Sequence, residues 1–171
     1  MNLLDYVIDA LLILLVVLQL RPTRFGARAI LLPLILAAAV GAFYLRAIPT
    51  QGNDLALIVV LTLIGAALGL ASGLATRVWR DDQRGVLVQA GLPAAALWIL
   101  GMGARAVFQI WADGSGGDAI ARFSMANEIS GAATWVAALV LMALAQVVAR
   151  VGTLLLRAGR MRVGAKQAQL A

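Results

Sequence analysis

Among the ionisable residues inside long apolar stretches, three are best placed to do chemistry: Asp9, Arg105 and Glu128. An ionisable group at such a position is costly in a bilayer and is a functional candidate for that reason. Glu128 or Asp9 offers a carboxylate for general acid or base catalysis, and Arg105 offers a cation to an anionic or oxyanionic group. Tyr6, Gln109 and Asn127 fall at similar depths and complete a candidate ligand-binding set with those three. Each also has a plainer reading. Arg105 can snorkel past Gln109 to the surface. Glu128 can stabilise the positive end of a helix, and Asp9 can mark where the first apolar run starts. A buried network of Arg105, Glu128 and Asp9 would serve equally to fix which helices associate.

The chain has no cysteine and no histidine. Thiol chemistry, disulfides, histidine-ligated zinc or haem and the usual general base of hydrolases are therefore excluded. No Walker loop, dinucleotide fingerprint, metal-ligand spacing or serine triad is present, so no cofactor or metal is expected.

The elements that must position these residues are membrane spans. The 171 residues are 63% hydrophobic, with a mean hydropathy of +0.94. A span needs about 20 apolar residues, and five runs qualify: Leu3 to Leu20, Ala29 to Ile48, Leu55 to Thr76, Leu92 to Trp111 and Ser124 to Ala149. The predicted fold class is an all-α integral membrane protein, a five-helix bundle occupying residues 1–150. Residues 151–171 form a basic tail. Arginines crowd every second connector: Arg21, Arg24 and Arg28, then Arg77, Arg80 and Arg84, then Arg150 to Lys166. Basic residues favour the cytoplasmic side, which predicts an outside N-terminus and a cytoplasmic C-terminus. The first nine residues lack the basic region of a cleavable signal. Net charge is +6. In this setting the basic residues read as contacts with anionic membrane lipid rather than with nucleic acid.

At 1.5 Å per residue, Arg105 lies about 9 Å below the outer interface, six residues before Trp111. Gly65, Gly69 and Gly73 recur every four residues and present a stripe on which another helix can pack closely. Arg77 to Val88 places two short β-prone stretches around a polar turn, which predicts a small cytoplasmic hairpin or tight loop, with Trp79 at the headgroups. Asp113 to Asp118 is Gly-rich and reads as a mobile loop.

The segment from Gly65 to Trp111 carries a resemblance. It runs from the Gly-rich helix through Ala75-Thr76-Arg77-Val78-Trp79-Arg80-Asp81, then Gly85-Val86, Gln89-Ala90-Gly91, Trp98 and Arg105. This resembles the CcdC-like family of small bacterial integral membrane proteins. The resemblance implies a bacterial cytoplasmic-membrane protein and a link to cytochrome c maturation. With neither Cys nor His, this chain departs from any direct thiol or haem-ligand role. Three functions stay open: a non-enzymatic accessory component with a polar cavity in the outer half, a small enzyme acting on a lipid or isoprenoid-like substrate, and a transporter subunit. Expected partners are membrane lipid and another membrane protein or a second copy of the chain.

Overall fold

The computed structural model describes residues 49–168, apart from 82 and 84, and scattered positions between 23 and 42. The first predicted span, with Tyr6 and Asp9, lies outside the described residues. The second is described only at scattered helical positions between 31 and 42.

The protein is mostly helical. Among the described residues, and apart from those scattered helical positions, four helices and three strands follow in the order β1 (Thr23–Arg24), α1 (Asp54–Ala75), β2 (Arg77–Asp81), β3 (Gly85–Gln89), α2 (Leu92–Asp113), α3 (Gly117–Ala126) and α4 (Ala132–Ala168). Of these, α1, α2 and residues 132–161 of α4 are long and apolar enough to cross a bilayer. Their outward faces are strongly apolar, with Leu63, Leu100, Val107 and Ile110 each well exposed. Such faces are stable against lipid rather than water, and the chain is a membrane protein.

Each helix end has a local cause. Asp54 puts an acid in the first turn of α1, where the helix dipole favours it. At the other end Thr76 turns into extended backbone, and both its N–H and its hydroxyl bond the Ser72 carbonyl. Helix α2 starts after Gly91 with Pro93 in its first turn, where a missing N–H costs no helical bond.

Helices α1 and α4 are parallel and form the core of the bundle. Asp54 meets Ser130 and Thr134, Ile58 packs with Ala137 and Ala138, and Gly73 meets Thr153. The glycine stripe makes this closeness possible. A Cβ on Gly65 would overlap the Met142 carbonyl, and one on Gly69 the Gln146 carbonyl. Helix α2 returns antiparallel, with the Ser72 hydroxyl bonded to the Ala94 carbonyl.

The hairpin forms at the expected place, with Val78 opposite Val88 and Arg80 opposite Val86. It gains an unexpected third strand, since β1 pairs with β3 and gives the order β1-β3-β2. Val78, Val86 and Val88 pack on Leu154 and Ala158 of α4. Helix α4 has 37 residues, about 55 Å at 1.5 Å per residue, against a hydrocarbon core of about 30 Å. Its C-terminal part therefore outruns the core and carries the sheet.

Two boundaries differ from those read in the sequence. Ser124 to Ala149 is not one helix: Ser124 lies in α3, which ends at Ala126, and α4 begins only at Ala132. The break is local, since Glu128 has φ +55° and Gly131 φ +133°, neither of which continues a right-handed helix. The Gly-rich segment after Asp113 is a tight turn, in which Gly114 and Gly116 N–H groups both bond the Trp111 carbonyl, and α3 starts at Gly117.

Candidate functional site

The end of the bundle where α1 and α4 begin holds two features side by side. The first is a clamp between turns 51–54 and 127–131. Asn53 donates its N–H to the Glu128 carbonyl at 3.1 Å and its side-chain amide to the Asn127 carbonyl at 3.0 Å. Asp54 is fully buried and accepts three hydrogen bonds. The Ser130 N–H (2.8 Å) and Thr134 hydroxyl (3.0 Å) go to Oδ1, and the Ser130 hydroxyl (2.5 Å) goes to Oδ2. A carboxylate buried this way is tolerated because donors replace water. It also sits against the first turn of α4, so one acid serves the positive ends of two helices. Gly52, with φ +50°, has its Cα so close to the Glu128 carbonyl that no Cβ fits.

The second feature is a cleft of about 500 Å³ between α2, α3 and α4. Its lining is mostly apolar and includes two aromatic rings, Phe108 and Trp135. Trp135 stacks on Phe108 at 5.2 Å between centroids and meets Phe123 at 6.1 Å. The Trp135 indole N–H donates to the buried Ser124 hydroxyl at 3.0 Å, which fixes the ring. The rim is polar, with Gln109, Asp113 and Ser130 among the lining residues, and among the described residues Asp113 is the single charged group there. An apolar hollow with a few polar groups at one edge is the usual form of a small-ligand site, and here it suits an apolar body with a polar end.

The predicted site residues are distributed unevenly over these features. Gln109 lines the cleft. Asn127 and Glu128 belong to the clamp, where both act through their backbone carbonyls, and the Glu128 side chain is exposed. Arg105 is half-buried on α2 with Nη2 against Met102 Sδ and Nη1 without a partner among the described residues. Among the described residues no ion pair joins Arg105 to Glu128. The expected pairing is replaced by a turn in which Glu128 faces out, because the break at 127–131 removes it from the helix face assumed for it. Gly65, Gly69 and Gly73 are in the α1–α4 contact. Among the described residues no group of His, Cys, Asp or Glu could hold a metal.

Sequence reasoning missed Asp54, Trp135 as a wall, and Gln146. The Gln146 side chain is 2% exposed, lies against Gly101, and has neither amide atom hydrogen-bonded among the described residues. The signal for Asp54 was an acid directly before an apolar run, beside two turns of similar composition, Gly52-Asn53-Asp54 and Asn127 to Gly131. What these observations define is a helical membrane protein with a clamped bundle end and an aromatic cleft beside it. No family model, curated protein or solved structure matches the chain.

Proposed function

We propose that this protein is a multi-pass component of a bacterial cytoplasmic membrane, N-terminus outside, that holds an amphiphilic ligand in the α2–α3–α4 cleft as an accessory rather than an enzyme. The aromatic cleft with its polar rim carries this reading. The charge pattern of the connectors supports the orientation, and the resemblance to CcdC-like proteins supports the compartment. The enzyme reading needs an available carboxylate in the cleft. Asp54 has its oxygens engaged by Ser130 and Thr134, Glu128 is outside the lining, and among the described residues Asp113 alone remains, Asp9 lying outside them.

Native mass spectrometry of the protein released gently from its own membrane tests the proposal. The expected result is a co-purifying small mass that is lost when Ala112→Leu fills the cleft and kept in Glu128→Gln. A chain that carries no such mass, or one whose loss follows Glu128→Gln instead, overturns it. Turnover of a lipid substrate that disappears in Asp113→Asn would favour the enzyme.

A further inference from the structure

The opposite end of the bundle has its own cleft. It measures about 450 Å³ and is lined by Arg77, Val78, Trp79, Gln89 and Arg157. Among the described lining residues are two arginines and no carboxylate. It lies where α1 gives way to β2, at the end of the apolar lengths of α1 and α2. Leu74 and Leu92, which border that level, are 64% and 78% exposed, as lipid-facing residues are. A bilayer that covers these faces puts its headgroups at the cleft. A tryptophan is suited to that level because its ring is apolar and its N–H polar, and half-buried Trp79 is part of the lining.

Arg157 is held in place before any ligand arrives. Its Nη1 lies 2.8, 3.0 and 2.6 Å from the carbonyls of Gly73, Leu74 and Thr76, where it caps the C-terminus of α1. A guanidinium has five N–H donors in a planar fork. Nη1 supplies two of them to the carbonyls, and the three on Nη2 and Nε have no partner among the described residues. Arg77 is exposed on β2, opposite Gln89 in the ladder, and it too has no partner among the described residues. Fixed guanidinium donors that remain unused match the oxygens of a phosphate, and a fork already ordered loses little entropy on binding.

A second cavity, of about 400 Å³, shares Arg77 and Gln89 with the first and is otherwise lined by Ala75, Leu92, Pro93 and their neighbours. Its apolar side favours a ligand whose phosphate is joined to an apolar body. We infer that this cleft binds the phosphate of an anionic phospholipid, with Arg157 and Arg77 on the phosphate oxygens and the glycerol end along Ala75, Leu92 and Pro93.

The test is native mass spectrometry of the full chain in detergent, with phosphatidylglycerol and phosphatidylcholine supplied in equal amounts. The expected result is one phosphatidylglycerol retained per chain in preference to phosphatidylcholine. Arg77→Gln should lower that retention about tenfold, the loss of roughly one charge-assisted hydrogen bond, and Arg77→Lys should lower it less. Arg160→Gln removes the same charge from an exposed site outside the lining and should leave retention unchanged. An unchanged thermal midpoint in Arg77→Gln shows that the loss is not unfolding. Equal losses in the Arg77 and Arg160 variants mean diffuse attraction and overturn the site. Equal retention of the two lipids does the same. Complete displacement by millimolar inorganic phosphate, but not by chloride, overturns the lipid as its occupant.

Discussion

Asp54 and Gln146 are both buried polar side chains, and they stand at opposite ends of the energetic range. Three donors meet Asp54, so its removal leaves the Ser130 N–H, the Ser130 hydroxyl and the Thr134 hydroxyl without their acceptor. Asp54→Ala should therefore cost about 3 kcal/mol or more, read as a lower thermal midpoint in detergent. Asp54→Asn should cost less, because an amide oxygen still accepts and the Ser130 hydroxyl can reverse its bond. Equal losses in the two variants would mean that the charge beside the α4 N-terminus matters more than the hydrogen bonds. Gln146 is the reverse case. Its amide is desolvated and has no hydrogen-bond partner among the described residues, so an apolar side chain of similar shape removes a penalty. Gln146→Met should be neutral or stabilising by about 1 kcal/mol; a large loss of stability would show that the amide has partners when the protein is in its membrane. Neither role was legible in the sequence. Asp54 reads as a connector acid and Gln146 as one polar residue in an apolar run, because each role depends on which helix lies opposite.

At the scale of the element, the four-residue glycine period was legible because it is a property of one helix face. It places Gly65, Gly69 and Gly73 together whatever the neighbour is. That the neighbour is α4, in parallel, is a tertiary fact. The stripe makes a clear prediction. Gly69→Ala pushes a methyl group into the Gln146 backbone and should separate the helices, at a cost of about 2 kcal/mol or more. Gly159→Ala, in the same α4 but with open space around it, should instead stabilise by roughly 0.5–1 kcal/mol, the helix propensity of alanine over glycine. Thermal unfolding of the two variants side by side distinguishes packing from propensity, and similar shifts would sink the close-approach argument. The break between α3 and α4 was not legible. Asn127 to Gly131 is too short to dilute the hydropathy around it, and its positive φ values appear only in the fold. Strand β1 escaped for a related reason. Two residues carry no periodicity, and β1 exists only because β3 offers it an edge.

For the whole molecule, the parallel packing of α1 and α4 fixes a relation that the orientation must respect. Both helices start at the clamp and run toward the sheet, so the α2–α3 turn and the hairpin lie at opposite ends of the bundle. The proposed orientation puts the first outside and the second, with Arg77 and Arg80, in the cytoplasm. The absence of cysteine makes this directly testable, since one introduced thiol is the only one in the chain. Asp118 is exposed at the start of α3, and Gln83 is exposed at the hairpin tip. In intact cells stripped of any outer barrier, Asp118→Cys should react with a membrane-impermeant maleimide, and Gln83→Cys should react only after lysis, a difference of at least about tenfold in labelled fraction if the bilayer is the barrier. The opposite pattern inverts the molecule and moves the aromatic cleft to the cytoplasmic leaflet. Equal labelling of both sites in intact cells would mean that the helices do not separate two compartments, and the apolar faces of α1, α2 and α4 would then need another cover.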